Sequence, residues 1–129
     1  MNKIIVEVSI GELLDKISIL EIKQGKIKDT EKLKFINNEH SKLKNQLEKN
    51  VKSDDKLNYL YQSLKEINSK LWVIENDKRQ CEKEKDFGEK FIKLSRNVHF
   101  LNDDRAKIKL KINNHTGSVI KEIKEYTSY

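Results

Sequence analysis

Leu57, Leu60, Leu64, Ile67, Leu71, Ile74, Lys78 and Cys81 follow one another at spacings of 3, 4, 3, 4, 3, 4 and 3. That alternation draws a narrow, mostly apolar stripe along one face of a helix, the a/d seam of a coiled coil. No proline or glycine interrupts it. A helix over residues 54–85 is roughly 48 Å long at about 1.5 Å of rise per residue. A seam of that length is stable in water only against partner helices, so the rest of the chain is expected to supply them, with this segment as the spine.

The neighbouring segments carry the same signal. Residues 30–50 place Leu33, Ile36, His40, Leu43 and Leu47 on one seam, and residues 88–113 do so with Phe91, Leu94, Val98, Leu101, Arg105, Ile108 and Ile112. Residues 10–27 carry Ile10, Leu13, Leu14, Ile17, Leu20 and Ile27 on one side, with Ile19 and Ile22 off that stripe. A helix apolar around this much of its circumference is expected to be the most buried of the set. The breaks are equally readable. Ser9 with Glu12 and Asp86 with Glu89 have capping-box spacing, Asp29 and Asp54 are N-cap residues by type, and Gly117 follows the last periodic residue. The expected fold is therefore all-α: an antiparallel four-helix bundle of long, coiled-coil-like helices near 10–27, 30–50, 54–85 and 88–113, forming one domain over 1–129. Short connections make successive helices the expected neighbours. Residues 3–8 are β-branched and read as a short strand or an extended arm. The tail, 114–129, reads as either a last helical turn or two or a strand pairing with residues 3–8.

Composition restricts the core. Hydrophobic residues are 36% and charged residues 37% of the 129, fewer apolar residues than a typical globular domain carries. Thin helices completed by a second copy fit this better than a thick core, and a homo-oligomer, in the simplest case a dimer, is expected. The net charge of +6 is spread. Residues 1–53 have 11 Lys against 8 acids, residues 54–86 have 7 basic against 8 acidic residues, and residues 87–129 have 9 against 5. Arg105, Lys107, Lys109 and Lys111 alternate and so do not share one helix face. Nucleic-acid binding, which needs a basic stripe, is not the expected function. The single cysteine excludes an intrachain disulfide, and no run approaches the ~18 apolar residues of a membrane span. A cytoplasmic setting with no membrane partner is expected, and residues 4–6 are too short an apolar run for a signal peptide.

The order of motifs resembles a known family. Val8-Ser9-Ile10-Gly11-Glu12-Leu13-Leu14-Asp15-Lys16-Ile17, then Leu20-Glu21-Ile22-Lys23, Leu71-Trp72-Val73-Ile74-Glu75, Cys81-Glu82, Asp86-Phe87-Gly88, Asn102-Asp103-Asp104-Arg105 and a Tyr-rich end are similar to a family of small bacterial and phage proteins of unknown function. The likeness covers nearly the whole chain and implies a helical domain without implying an activity. The Lys-, Asn- and Ile-rich composition is what an AT-rich genome, such as that of a phage or a marine bacterium, is expected to encode.

Chemistry-bearing residues are few. His40, His99, His115 and Cys81 lack metal-ligand spacing, no cofactor motif is present, and no catalytic group is identified. Only Arg79, Arg96 and Arg105 among the 27 basic residues are arginines. In a chain so biased toward Lys, an arginine marks a position where a planar, bidentate donor is needed. Either these three form interhelical ion pairs that set register, with Glu75 four residues before Arg79 in the favourable orientation, or they grip a carboxylate or phosphate inside the bundle. The leading functional expectation is a non-enzymatic interaction or scaffold protein acting as an oligomer. The alternatives are an anion-binding protein or enzyme with an Arg-lined site and, after it, a non-specific nucleic-acid binder.

Overall fold

The computed structural model describes residues 2–129. Among them are four helices and no strand: α1 (Ile10–Lys26), α2 (Thr30–Asn50), α3 (Asp55–Glu84) and α4 (Glu89–Thr116). The sequence signals for the starts hold at three of the four. Ser9 accepts a hydrogen bond from the Glu12 amide (3.0 Å), Asp29 from Glu31 and Lys32, and Asp54 from Leu57 (2.7 Å), each satisfying amides that the first turn leaves without helical partners. The fourth differs. Gly88, not Asp86, is the N-cap of α4 and contributes no side chain, while Asp86 accepts from the Gly88 amide just before the helix begins. The capping box at Ser9 is also only half formed, because the Glu12 carboxylate is drawn to Lys109. At its other end α4 runs to Thr116, where Gly117 takes the left-handed conformation (φ 67°) that stops the helix.

The four helices make a bundle organised on α1, not on α3. α1 packs on each of the other three, and α3 packs on α4; the backbone of α2 comes close to α1 alone. The breadth of apolar surface on α1 is what lets it serve three neighbours. The connection at residues 51–54 is short, yet it does not make α2 and α3 neighbours. The core is correspondingly compact: Leu14 of α1, Leu57, Leu60 and Leu64 of α3 and Ile112 of α4, with Leu47 and Val51 packed at its edge. The α3 seam is buried at this end, half-buried at Ile67, Leu71, Ile74 and Lys78, and buried again at Cys81.

The α1–α4 crossing is unusually close at Gly11. A Cβ there would stand 2.7 Å from the Lys109 carbonyl oxygen and 3.0 Å from Asn113 Oδ1. The absent side chain allows the Gly11 amide to donate to Asn113 Oδ1 at 2.7 Å, and the Ile10 amide donates to Ser118 Oγ at 3.1 Å. The two chain ends are therefore tied together, but not as strands: residues 2–8 and 118–129 form neither sheet nor helix. Ile4, Ile5, Val6, Val119 and Ile123 remain largely exposed. Of the two readings of the tail, the strand pairing with residues 3–8 does not form, and the helical one holds only as far as Thr116; the contact that joins the two ends is a helix-end contact to Ser118.

Candidate functional site

Asp15 is the centre of a buried polar seam that periodicity alone does not reveal. It lies on α1 with Gly11 and Ser18, four residues before and three after, so that a strip of small and polar side chains faces α3 and α4. Its side chain is 1% exposed. Arg105 of α4 grips the carboxylate in a two-point pairing, Nε to Oδ1 at 2.9 Å and one terminal nitrogen to Oδ2. Asn68 of α3 donates to Asp15 Oδ1 and to Ser18 Oγ, both at 2.8 Å. Ser18 Oγ donates to the Asp15 carbonyl. Lys109 Nζ stands 3.9 Å from Asp15 Oδ2 and donates to Glu12 (2.6 Å) and to Glu122 of the tail (3.1 Å). Among the described residues no buried side-chain polar atom is left without a partner. That completeness makes the buried charges tolerable.

The electrostatics follow from the geometry. Burial by itself would raise the Asp15 pKa. The Arg105 and Asn68 hydrogen bonds and the charges of Arg105 and Lys109 outweigh it and hold the carboxyl below its ordinary value. Lys109 is shifted upward: burial opposes its charge, and Glu12 and Glu122 more than restore it. A second, shallower cluster forms around Glu21 of α1. The Tyr61 hydroxyl donates to Glu21 Oε1, His40 Nε2 lies 3.0 Å from Oε2, and Lys65 Nζ lies 3.3 Å from Oε1. Burial pushes the Glu21 pKa up; the tyrosine, histidine and lysine contacts bring it below the ordinary value. His40 is thus a hydrogen-bonded edge residue between α1 and α2.

The three arginines fall in different surroundings. Arg105 belongs to the Asp15 seam. Arg79 makes no ion pair among the described residues, and its expected partner Glu75 does not close on it. Arg79 and Arg105 nonetheless line one groove, of about 370 Å³, with Ile19 and Ile22 of α1 and Leu71, Trp72 and Glu75 of α3. Arg96 lies apart, its guanidinium carbon 5.8 Å from the centre of the Phe100 ring, next to the His99, Phe100 and Tyr129 rings. The structure brings two of the three together. Sequence reasoning passed over Asp15, Asn68, Lys109 and Asn113; the available signal was the strip Gly11, Asp15, Ser18, Ile22 at spacings of four, three and four, opposed on α4 by Arg105, Lys109 and Asn113.

A second feature lies on the outer face of the α3–α4 pair. A groove of about 630 Å³ is lined by Val73 and Ile74 of α3 and Phe100 and Leu101 of α4, flanked by Glu66 and Lys70. It continues through Glu66, Lys70 and Leu101 into a further groove that reaches Ile67 and Ile108. In a packed bundle that face would lie against a fourth helix, but α2 lies against α1. Cys81, buried near the far end of α3, is a packed side chain. No group of three or more His, Cys, Asp or Glu side chains is placed to hold a metal ion, and no helix is long and apolar enough to cross a membrane, among the described residues.

Fold and site together define an all-helical protein whose first helix is locked to the third and fourth by buried ionic and amide contacts. Residues 4–129 match the family of unknown function DUF6165, and the chain belongs to that family. No curated protein and no solved structure gives a match.

Proposed function

We propose that this protein is an interaction module that works as a homo-oligomer, with the outer α3–α4 groove taking the same hairpin of a second copy. The observation that carries the reading is the uncovered face: α1 covers one side of the α3–α4 pair, and the helix that would cover the other packs elsewhere. Val73 is 49% and Phe100 37% exposed along it. Two hairpins meeting face to face about a twofold axis supply four helices around one seam, the arrangement the spacing of α3 and α4 calls for. Charge favours a second copy over a nucleic acid or an anionic surface. The charged side chains along the groove and its continuation are mixed in sign, Glu66 and Asp104 with Lys70, Lys107 and Lys111, and do not form a basic stripe. The pairs along the groove, such as Glu66 with Lys70 at 3.6 Å, offer both signs to a twofold-related partner.

Sedimentation equilibrium tests this. The wild type is expected at about twice the 15.3 kDa chain mass as protein concentration is raised toward about 1 mM. The double substitution Val73→Glu with Phe100→Glu is expected to sediment as a monomer with an unchanged helical spectrum, because both side chains already meet solvent in the single chain. A wild type that stays monomeric up to about 1 mM, or a double variant as associated as the wild type, would overturn the reading.

A further inference from the structure

We propose that the groove at the junction of α1, α3 and α4 binds a small monocarboxylate with an apolar body. This does not rest on self-association, since the groove is complete within one chain. Its volume, about 370 Å³, is at the lower end of the range of small-molecule sites. Its floor is apolar: Ile22 is buried and Leu71 and Trp72 are half-buried. Two guanidinium groups stand at it, and they are not equivalent. Arg105 is held on one edge by Asp15 through Nε and one terminal nitrogen, and its other terminal nitrogen has only a 3.5 Å contact to Asn102. The guanidinium plane is therefore fixed by a buried carboxylate while donor capacity remains on the far edge. This is the pre-organisation that makes carboxylate binding inexpensive in entropy. Its charge is shared with Asp15, so Arg79, without an ion-pair partner among the described residues, supplies the uncompensated cation. Glu75, on the same groove, opposes a second negative charge and so selects a monoanion over a phosphate dianion. The carboxylate lies between the two guanidiniums, and the apolar body lies on Trp72, Leu71 and Ile22.

Trp72 is the sole tryptophan of the chain, so the groove carries its own spectroscopic reporter. Titration with 3-phenylpropionate at constant ionic strength is expected to change Trp72 emission saturably, with half-saturation below about 1 mM, while phenethylamine, the same body with a cation, gives no saturable change. Arg79→Gln, an exposed position where folding is not at stake, is expected to weaken binding about tenfold, the loss of one charge-assisted contact. The circular dichroism of the variant, matched to the wild type, separates loss of binding from loss of fold. Absence of a saturable change up to about 10 mM, equal affinity of Arg79→Gln and wild type, or equal binding of phenethylamine would overturn the proposal.

Discussion

Arg105→Met removes one side of the ion pair that holds the buried Asp15 carboxylate and leaves the other. Were the partner carboxylate able to reach water, the loss would be small. Asp15 cannot: it is 1% exposed, enclosed by α1, α3 and α4, and its only remaining polar neighbours would be Asn68 at 2.8 Å and Lys109 at 3.9 Å. Breaking a buried pair from one side costs about 3–5 kcal/mol. The retained Asn68 bond and the nearby Lys109 ammonium place this case near the lower end, about 3 kcal/mol. For a chain of this length that corresponds to a fall of roughly 10 °C in melting temperature. Removing both sides is milder than removing one. Asp15→Leu with Arg105→Met leaves no stranded charge, and Asn68 keeps its bond to Ser18. Such double replacements of buried pairs are commonly neutral or stabilising. The double variant is therefore expected to be more stable than Arg105→Met alone by about 2 kcal/mol. Urea unfolding followed by circular dichroism measures all three proteins. A loss below about 0.5 kcal/mol in Arg105→Met, the spread of ordinary surface substitutions, would refute the view that this pair locks α4 to α1.

Other consequences of the packing are open to direct measurement. Leu64→Ala, at a site with 0% exposure, is expected to cost about 2–5 kcal/mol in urea unfolding, and Leu71→Ala, half-buried on the same seam, clearly less; equal losses would contradict the uneven burial of α3. Gly11→Ala is expected to cost about 1–3 kcal/mol in thermal unfolding, because the added Cβ meets the Lys109 carbonyl at 2.7 Å and its helix-propensity gain is smaller than that clash. Asp15 and Glu21 both have folded pKa values below their ordinary 3.8 and 4.5. Their contribution is therefore fully present above those values and is lost as pH falls through the lower folded ones. The urea midpoint is expected to drop on acidification below about pH 4.5, and Glu21→Gln should flatten that acid limb; an unchanged limb would contradict the Glu21 cluster.

Much of the fold could be read from the residues, and the part that could not has a physical reason. Spacings of 3 and 4 mark a helix because they place side chains on one face, and Asp29, Asp54 and Gly117 mark ends because they satisfy or terminate backbone hydrogen bonding. Neither signal says which helix faces which. The short connection at residues 51–54 is compatible with α2 lying on α3 or on α1, and the breadth of α1 decided it. The two connections at either end of α3 are equally short, yet only the one at residues 85–88 joins packed neighbours. The buried seam was harder to see for a different reason. Asn68 sits one residue beside the α3 stripe, and Asp15 sits inside the most apolar helix, so a pattern of apolar positions passes over both. They are buried because each satisfies the other, a pairwise property that no single position displays. Arg105 stands out by its rarity, and its partner does not, since a lone Asp on a helix is ordinarily solvated.

The uncovered α3–α4 face is the centre of the functional reading, and hydroxyl-radical footprinting across a dilution series tests it most directly. If a second copy lies on that face, oxidation of Val73 and Phe100 falls as protein concentration rises, while Phe35, 76% exposed on α2, and Tyr59, 72% exposed at the start of α3, keep constant reactivity. Protection should reach half its limit at the concentration where sedimentation shows half the chains associated. Reactivity of Val73 and Phe100 that is independent of concentration, or protection that appears at Phe35 instead, would contradict it.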